Sequence, residues 1–384
     1  MKYLHILAVL STTLLFAQEK PEVKIGGAVR FNYNLSTWKE AQVKRGGDFG
    51  YDLFRINAVG KYKGISANAE YRLYSNGFGG GMLKQGWLGY HFDEKNEIQL
   101  GLTQVPFGNT QYNSNSWFFS INYYLGLEDD HDMGVKFTHK GEKWDYDLAF
   151  FKNAEELQFG NLPDLSPNRY SYDIGSIDID GDGKMDLRNK EINQLNAKVV
   201  YKVKGSAGHR IGASAMYGGV LNLDTENIGD RKAFSLHYQM KKNKLGLKLQ
   251  GTYSKINPKN PDNKFNDIVA MSAYGGNYLT PAEFYTYTGG ISYDIPVKFG
   301  PVSQLRLYND FGMVDKINTN FQNTYMNVTG IMISAGNVYI YADMAGGKNM
   351  PWFNPDFTNS LAKGSSDDSN KWHTRYNINI GYYF

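Results

Sequence analysis

The chain has no cysteine among its 384 residues. That excludes disulfide bonds, thiolate metal centres and cysteine nucleophiles. Histidine is scarce, at seven, and none stands beside a serine-nucleophile motif. The triplet Gly79-Gly80-Gly81 lacks the Lys-Ser/Thr pair that a phosphate loop requires, and reads as a flexible loop tip. The net charge is only +3, with basic residues scattered along the chain, so the charge pattern excludes nucleic acid as a partner. After residue 17 no apolar run approaches the roughly 20 residues that a membrane-crossing helix needs.

Aromatic residues and glycine are plentiful. Tyr 29, Phe 22 and Gly 42 suit many alternating strands joined by polar turns. The first residues carry a different signal. Lys2 precedes a mostly apolar stretch from Leu4 to Phe16, and small Ala17 precedes Gln18. Residues 1–17 are therefore expected to be a secretory signal peptide, with one domain over 18–384.

That domain alternates with period two. Leu245, Leu247, Leu249 and Tyr253 oppose Lys248, Gln250, Thr252 and Ser254. The same holds for Phe234, Leu236, Tyr238 and Met240 against Ser235, His237, Gln239 and Lys241. Successive side chains of a strand point to opposite faces, so one face is apolar and the other wet. The segments, with expected spans such as 131–140, 192–204 and 284–295, run about ten residues or more, long for a soluble strand but suited to a tilted strand crossing a hydrocarbon core. Short joins such as Lys63-Gly64, Lys241-Lys242-Asn243 and Ser334-Ala335-Gly336-Asn337 alternate with polar stretches at 37–50, 106–130, 154–190, 257–282 and 347–370. Tyr, Trp and Phe recur near strand ends, as in an interfacial girdle. The expected fold is all-β: a transmembrane antiparallel barrel of about 16 strands, located in a cell outer membrane with the lipid bilayer as its first partner.

The last segment sharpens this expectation. Tyr376, Ile378, Ile380, Tyr382 and Phe384 make one apolar face that ends in an aromatic, against Arg375, Asn377, Asn379 and Gly381. Such an ending resembles the signal read by the barrel-assembly machinery. The stretch Gln104-Val-Pro-Phe-Gly108, followed by Tyr123-Tyr-Leu-Gly-Leu-Glu-Asp-Asp-His-Asp-Met-Gly134, resembles outer-membrane porins of the Bacteroidota. These are similar to the phosphate-selective porins O and P. The resemblance implies a general or anion-preferring diffusion pore for small polar solutes or ions, with a homotrimer as its assembly. No distinct lysine cluster on an inserted loop accompanies it.

Two constellations stand out. The segment 106–130 is the third long loop, the one that narrows the lumen in general porins, and it ends in Glu128, Asp129 and Asp130. Arg30, Arg55, Arg72, Lys198, Lys248, Arg306 and Arg375 lie in the wet phase of their strands. Acids on the loop facing bases on the wall would set a field across a narrow aqueous gap. These ten residues are the expected pore lining; the blander reading makes them solvated lumen residues or bracing ion pairs. The second constellation, Asp178, Asp180, Asp182, Lys184 and Asp186, has the alternate acids and the Gly183 turn of a calcium loop. Its twelfth position is Asn189, and Glu191 comes two residues late. The expectation is a Ca²⁺ that stiffens an external loop, with no cofactor required for the chain's activity. Two other functions remain in view: a binding or adhesion barrel, and a barrel hydrolase, for which no catalytic set is convincing.

Overall fold

A computed structural model describes residues 20–155, 166–205, 208–364 and 370–384. The expected signal peptide lies outside these residues. In chain order the strands are β1 (Glu22–Ser36), β2 (Asp48–Tyr62), β3 (Ile65–Leu73), β4 (Gly81–His91), β5 (Asn96–Gln104), β6 (His131–Lys140) and β7 (Trp144–Ala154). There follow β8 (Asp173–Ile174), β9 (Ser176–Ile177), β10 (Leu187–Lys202), β11 (Arg210–Asn222), β12 (Ile228–Lys242) and β13 (Leu245–Asn257). The remainder are β14 (Ile268–Ala273), β15 (Gly276–Pro281), β16 (Glu283–Phe299), β17 (Val302–Lys316), β18 (Thr324–Ala335), β19 (Val338–Lys348) and β20 (His373–Tyr383).

All of these except β8, β9, β14 and β15 form one closed antiparallel barrel of sixteen strands. Each pairs with its neighbours in sequence, and β20 returns to pair with β1 from Ala28↔Tyr383 to Ser36↔Arg375. The chain's last residue seals the seam. Phe384 donates its N–H to the Gly27 carbonyl at 3.1 Å and accepts the Gly27 N–H at 2.8 Å. A side chain on Gly27 would collide with the Phe384 ring, 2.5 Å from an ideal Cβ. Closure leaves none of the sixteen wall strands at a free edge, the condition for placing strands in lipid.

Two-residue turns at 63–64, 243–244, 300–301 and 336–337 mark one end of the barrel, and the long loops mark the other. The outward face is apolar along every wall: Leu236 is 73% exposed, Leu100 60% and Leu148 54%. Their neighbours Ser235, Gln99 and Asp147 point inward and are buried. Exposed leucine at this density is unfavourable in water and favourable against acyl chains. The barrel exterior is a bilayer-facing surface.

The lumen departs from the uniformly wet interior that the alternation implied. At the long-loop end the inward positions are Met216, Val220, Ala233, Ile256, Phe284, Val314, Met326, Val328 and Ala345. Against them pack Phe118, Ile121, Tyr124 and Leu127 of loop 105–130, together with Met271 of β14 and Tyr278 of β15. Strands β14, β15 and β8 form a small antiparallel sheet inside this core, and every residue of β14 is buried. Val269, Met271, Tyr278 and Leu279 are at most 1% exposed. Burial of such side chains contributes about 1.5–3 kcal/mol each, enough to hold the loops inside the barrel.

The glycine triplet also differs from expectation. Gly79, at φ 87°, abuts Gly275, at φ 74°: a Cβ on Gly79 would lie 3.2 Å from the Gly275 nitrogen. Its role is close backbone approach between two inserted loops, a packed contact and not a flexible tip.

Candidate functional site: the loop-filled lumen

Loop 105–130 leaves β5 and crosses the lumen before rejoining the wall at β6. It enters because its side chains are apolar or amide-rich and the opposite wall offers matching acceptors and donors. The Gly108 N–H donates to Ser214 Oγ of β11 at 3.1 Å, and the Asn109 N–H to Gln250 Oε1 of β13 at 2.9 Å. Asn113 Nδ2 donates to Thr288 Oγ1 of β16 at 2.6 Å. Farther on, Asp310 of β17 accepts the N–H groups of Asn115 and Ser116 at 2.8 and 2.7 Å, and Asn115 Nδ2 at 2.8 Å. The loop therefore spans from one side of the barrel to the other.

The expected basic lining splits into two groups. Lys198, Lys248 and Arg375 grip the loop. Lys198 Nζ donates to Thr110 Oγ1 at 2.5 Å, and Lys248 Nζ to the carbonyls of Tyr112 and Ser114 at 2.9 and 2.6 Å. The Arg375 guanidinium lies 5.5 Å over the Phe118 ring and donates to Asn34 at 2.9 Å. Arg30, Arg55, Arg72 and Arg306 are braced by acids on the wall. Arg30 pairs with Asp52 at 2.9 Å, Arg72 with Glu70 at 2.6 Å and Arg306 with Asp294 at 2.6 Å. Arg55 stands 3.8 Å from Glu70 and 5.2 Å from the centre of the Tyr383 ring. Arg72 is 7% exposed under the Tyr170 ring, 4.5 Å away, so it is covered and does not line water.

The acids of the loop are a correction. Glu128, Asp129 and Asp130 are 5%, 4% and 3% exposed and face no aqueous gap. Glu128 turns back on its own loop, accepting the N–H groups of Asn113 at 2.9 Å and Ser120 at 3.2 Å, together with the Ser120 hydroxyl. Burial pushes its carboxyl up to about 7, against these hydrogen bonds. Asp129 accepts from Lys84 Nζ at 2.7 Å, the Tyr170 hydroxyl at 2.6 Å and Gln104 Nε2 at 2.9 Å. Burial opposes its charge, but the Lys84 ammonium and these donors prevail and hold its carboxyl below the usual range. Asp130 belongs to a buried cluster with Asp132 and Asp173. Burial first, and then the Asp132 charge, raise its carboxyl well above the usual range. Of the three acids Asp129 alone pairs with a base, Lys84, and all three are covered by protein, so the field expected across water has no exposed loop acid to carry it.

The acidic turn 178–186 is exposed and self-contained. Asp178 accepts the N–H groups of Gly181 and Gly183 at 2.7 and 2.8 Å, and Asp182 accepts that of Lys184 at 2.8 Å. Asp186 accepts the N–H groups of Ile179 and Asp180 at 2.6 and 3.3 Å. Those carboxylates point at the turn's own backbone. Glu191, which follows the turn in sequence, instead pairs with Arg231 of β12 in the barrel interior.

Lys84, Asp310 and Arg231 also bind the inserted loop, and the sequence alone did not single them out. Each sits in the inward phase of its strand, where a charge beside a long loop is the available signal. Their partners come from distant segments and leave no trace in spacing.

No family profile and no curated protein sequence matches the chain. Solved structures do share its fold. The outer membrane channel DcaP of Acinetobacter baumannii aligns with a TM-score of 0.61 at 11% identity, covering 96% of this chain and 98% of that one. The anion-selective porin from Comamonas acidovorans aligns at 0.59 and 14% identity, over 95% and 100%. OmpT of Vibrio cholerae, described in a trimer form, aligns at 0.56 and 11%, over 95% and 100%. The likeness covers nearly the whole chain on both sides and establishes the closed sixteen-stranded barrel of outer-membrane porins.

Proposed function

We propose that the chain is an outer-membrane porin, a passive diffusion channel for small hydrophilic solutes. The observation that carries this reading is a closed barrel with an apolar exterior, crossed inside by a loop that its wall clamps in place. A sixteen-stranded barrel has room for an aqueous channel, and an inserted loop narrows it. Export by the 1–17 segment, assembly through the strand ending at Phe384 and a homotrimeric state complete the proposal. Anion preference is the finer part, in line with the resemblance to phosphate-selective porins. It is supported by the inward lysines Lys136, Lys198 and Lys248 of β6, β10 and β13, which donate to carbonyl and hydroxyl oxygens and not to carboxylates.

The test is conductance of the purified protein in a planar bilayer. Stepwise ohmic currents are expected, with a reversal potential favouring chloride over potassium under a KCl gradient. A second reading, a binding or adhesion barrel, is favoured by the packed core at the long-loop end. Silence in the bilayer from protein whose barrel is folded would replace the pore by that reading.

A further inference from the structure

Five carboxylates converge where the inserted loops meet the wall. Asp130 and Asp132 flank His131 at the start of β6, Glu155 follows β7, Asp173 lies in β8 and Glu191 projects from β10. All five are at most 3% exposed. One oxygen from each of Asp130, Asp132 and Asp173 lies within 4.8 Å of the other two. Two guanidiniums face the group. Arg231 is ion-paired with Glu191 and donates to the Gly126 carbonyl at 2.9 Å, and Arg169 lies 3.5 Å from Asp173. Gln194 donates to Asp132 at 3.2 Å. Two cations cannot balance five acids if all ionise, and in a dry interior each unpaired ion is costly, so the full set of charges calls for a further cation.

A second observation is independent of the clustering. Both Asp130 carboxylate oxygens, Asp132 Oδ1, Asp173 Oδ1 and Glu155 Oε2 have no hydrogen-bond donor among the described residues. The other Glu155 oxygen is engaged by the N–H groups of Tyr170 and Ser171, at 3.0 and 3.1 Å, which fixes the side chain. Buried polar atoms in folded proteins find partners; here five carboxylate oxygens of one cluster lack a donor, and Arg231 Nε is the one unpartnered donor beside them among the described residues.

We propose that this pocket is a divalent-cation site suited to Ca²⁺. Its donors are all carboxylate oxygens, the ligand class of hard cations, and Ca²⁺ accepts six to eight oxygens at about 2.3–2.6 Å in flexible geometry. The adjacent imidazole is turned away, with His131 Nδ1 2.8 Å from the Asp129 carbonyl oxygen, so the site lacks the nitrogen that a transition metal favours. The ion joins β6, the end of β7 and β8. It thereby staples the inserted segment around Asp173 to the barrel wall. This site is distinct from the exposed turn 178–186.

The test uses the full barrel in detergent, stripped with EDTA and desalted. Tb³⁺ is titrated in and excited through tyrosine, since Tyr170 and Tyr172 are buried beside the pocket. Saturable emission is expected, displaced by Ca²⁺ and not by Na⁺. In Asp130→Asn/Asp132→Asn the affinity should fall by at least roughly tenfold, while Asp180→Asn/Asp182→Asn should leave it unchanged. Absence of a Ca²⁺-displaceable site in the wild type overturns the proposal and leaves the carboxyls sharing protons. So does a site abolished by the turn variant and untouched by the pocket variant. If the pocket variant lacks the heat-shifted gel band of a folded barrel, ⁴⁵Ca²⁺ binding decides. One equivalent retained by both the wild type and the turn variant supports the pocket, and none in the wild type overturns it.

Discussion

Asp310→Ala should undock the middle of the inserted loop while leaving the barrel intact. Asp310 is 4% exposed and accepts three hydrogen bonds from Asn115 and Ser116, at 2.7 to 2.8 Å. Hydrogen bonds to a charged group contribute about 1.5–3 kcal/mol each. Three on one carboxylate are not additive; removing it leaves buried neutral donors unpaired, at a cost of about 3 kcal/mol. The cost falls on the docking of the loop, because the strand register of β17 with β16 and β18 uses main-chain groups only. A loss of about 3 kcal/mol raises the open population of the loop by roughly 10²-fold. Hydrogen exchange of the amides around residues 113–122 should accelerate by that factor, with β17 amides unchanged. Single-channel currents should become larger or noisier. The neighbouring clamps at Asn109 and Lys248 remain, so exchange near residue 109 should change less. If protection at 113–122 stays within tenfold of the wild type, the carboxylate does not hold the loop and the clamp argument fails.

Leu236→Arg, on the lipid side of mid-β12, should cost about 2–4 kcal/mol in reversible unfolding from vesicles, and Ser235→Ala beside it should cost less. Equal costs would mean that the exterior does not face acyl chains. Deleting Phe384 removes both main-chain bonds to Gly27 and should lower the yield of heat-modifiable folded barrel; an unchanged yield would separate seam closure from assembly. Arg55→Glu should move the reversal potential toward cations. Arg72→Glu, which places a second acid beside Glu70 under Tyr170, should lower folded yield instead, and a clean selectivity change from it would show that Arg72 faces water.

The barrel was legible because lipid on one side and a filled lumen on the other impose the same two-residue period on every wall strand. β6 begins and ends at the expected residues, 131 and 140. Differences occur where the sheet is irregular or leaves the wall. β10 starts at Leu187, five residues early, because Leu187 and Arg188 pair with β9 of the inserted segment. β16 runs on to Phe299 through a register shift after Pro296. β14 was invisible for a different reason. Ile268-Val-Ala-Met-Ser-Ala273 lacks alternation because both of its faces are buried, and it sits in a stretch whose other residues read as a polar loop. The acids at 128–130 were conspicuous, but their setting was not. Lys84 reaches them from β4, and Tyr170 and Asp173 from the inserted segment that leads into β8; no spacing rule encodes such meetings.

If the barrel is the porin proposed above, its packed long-loop end changes where selectivity resides. Charges that line an open gap act on a solute through the field they leave in water. Here most of that charge is spent internally: Lys84 on Asp129, Arg231 on Glu191, Arg306 on Asp294. The remaining cations hold the loop by its carbonyl and hydroxyl oxygens, as Lys248 and Lys198 do. A solute crossing this barrel therefore meets the docking energy of the loops before it meets a charged ring. The bases on the wall then influence permeation chiefly by setting how often the loops yield. On that argument, neutralising Lys248 should alter conductance and its fluctuations more than the sign of ion preference, the reverse of what a ring of free lysines would give.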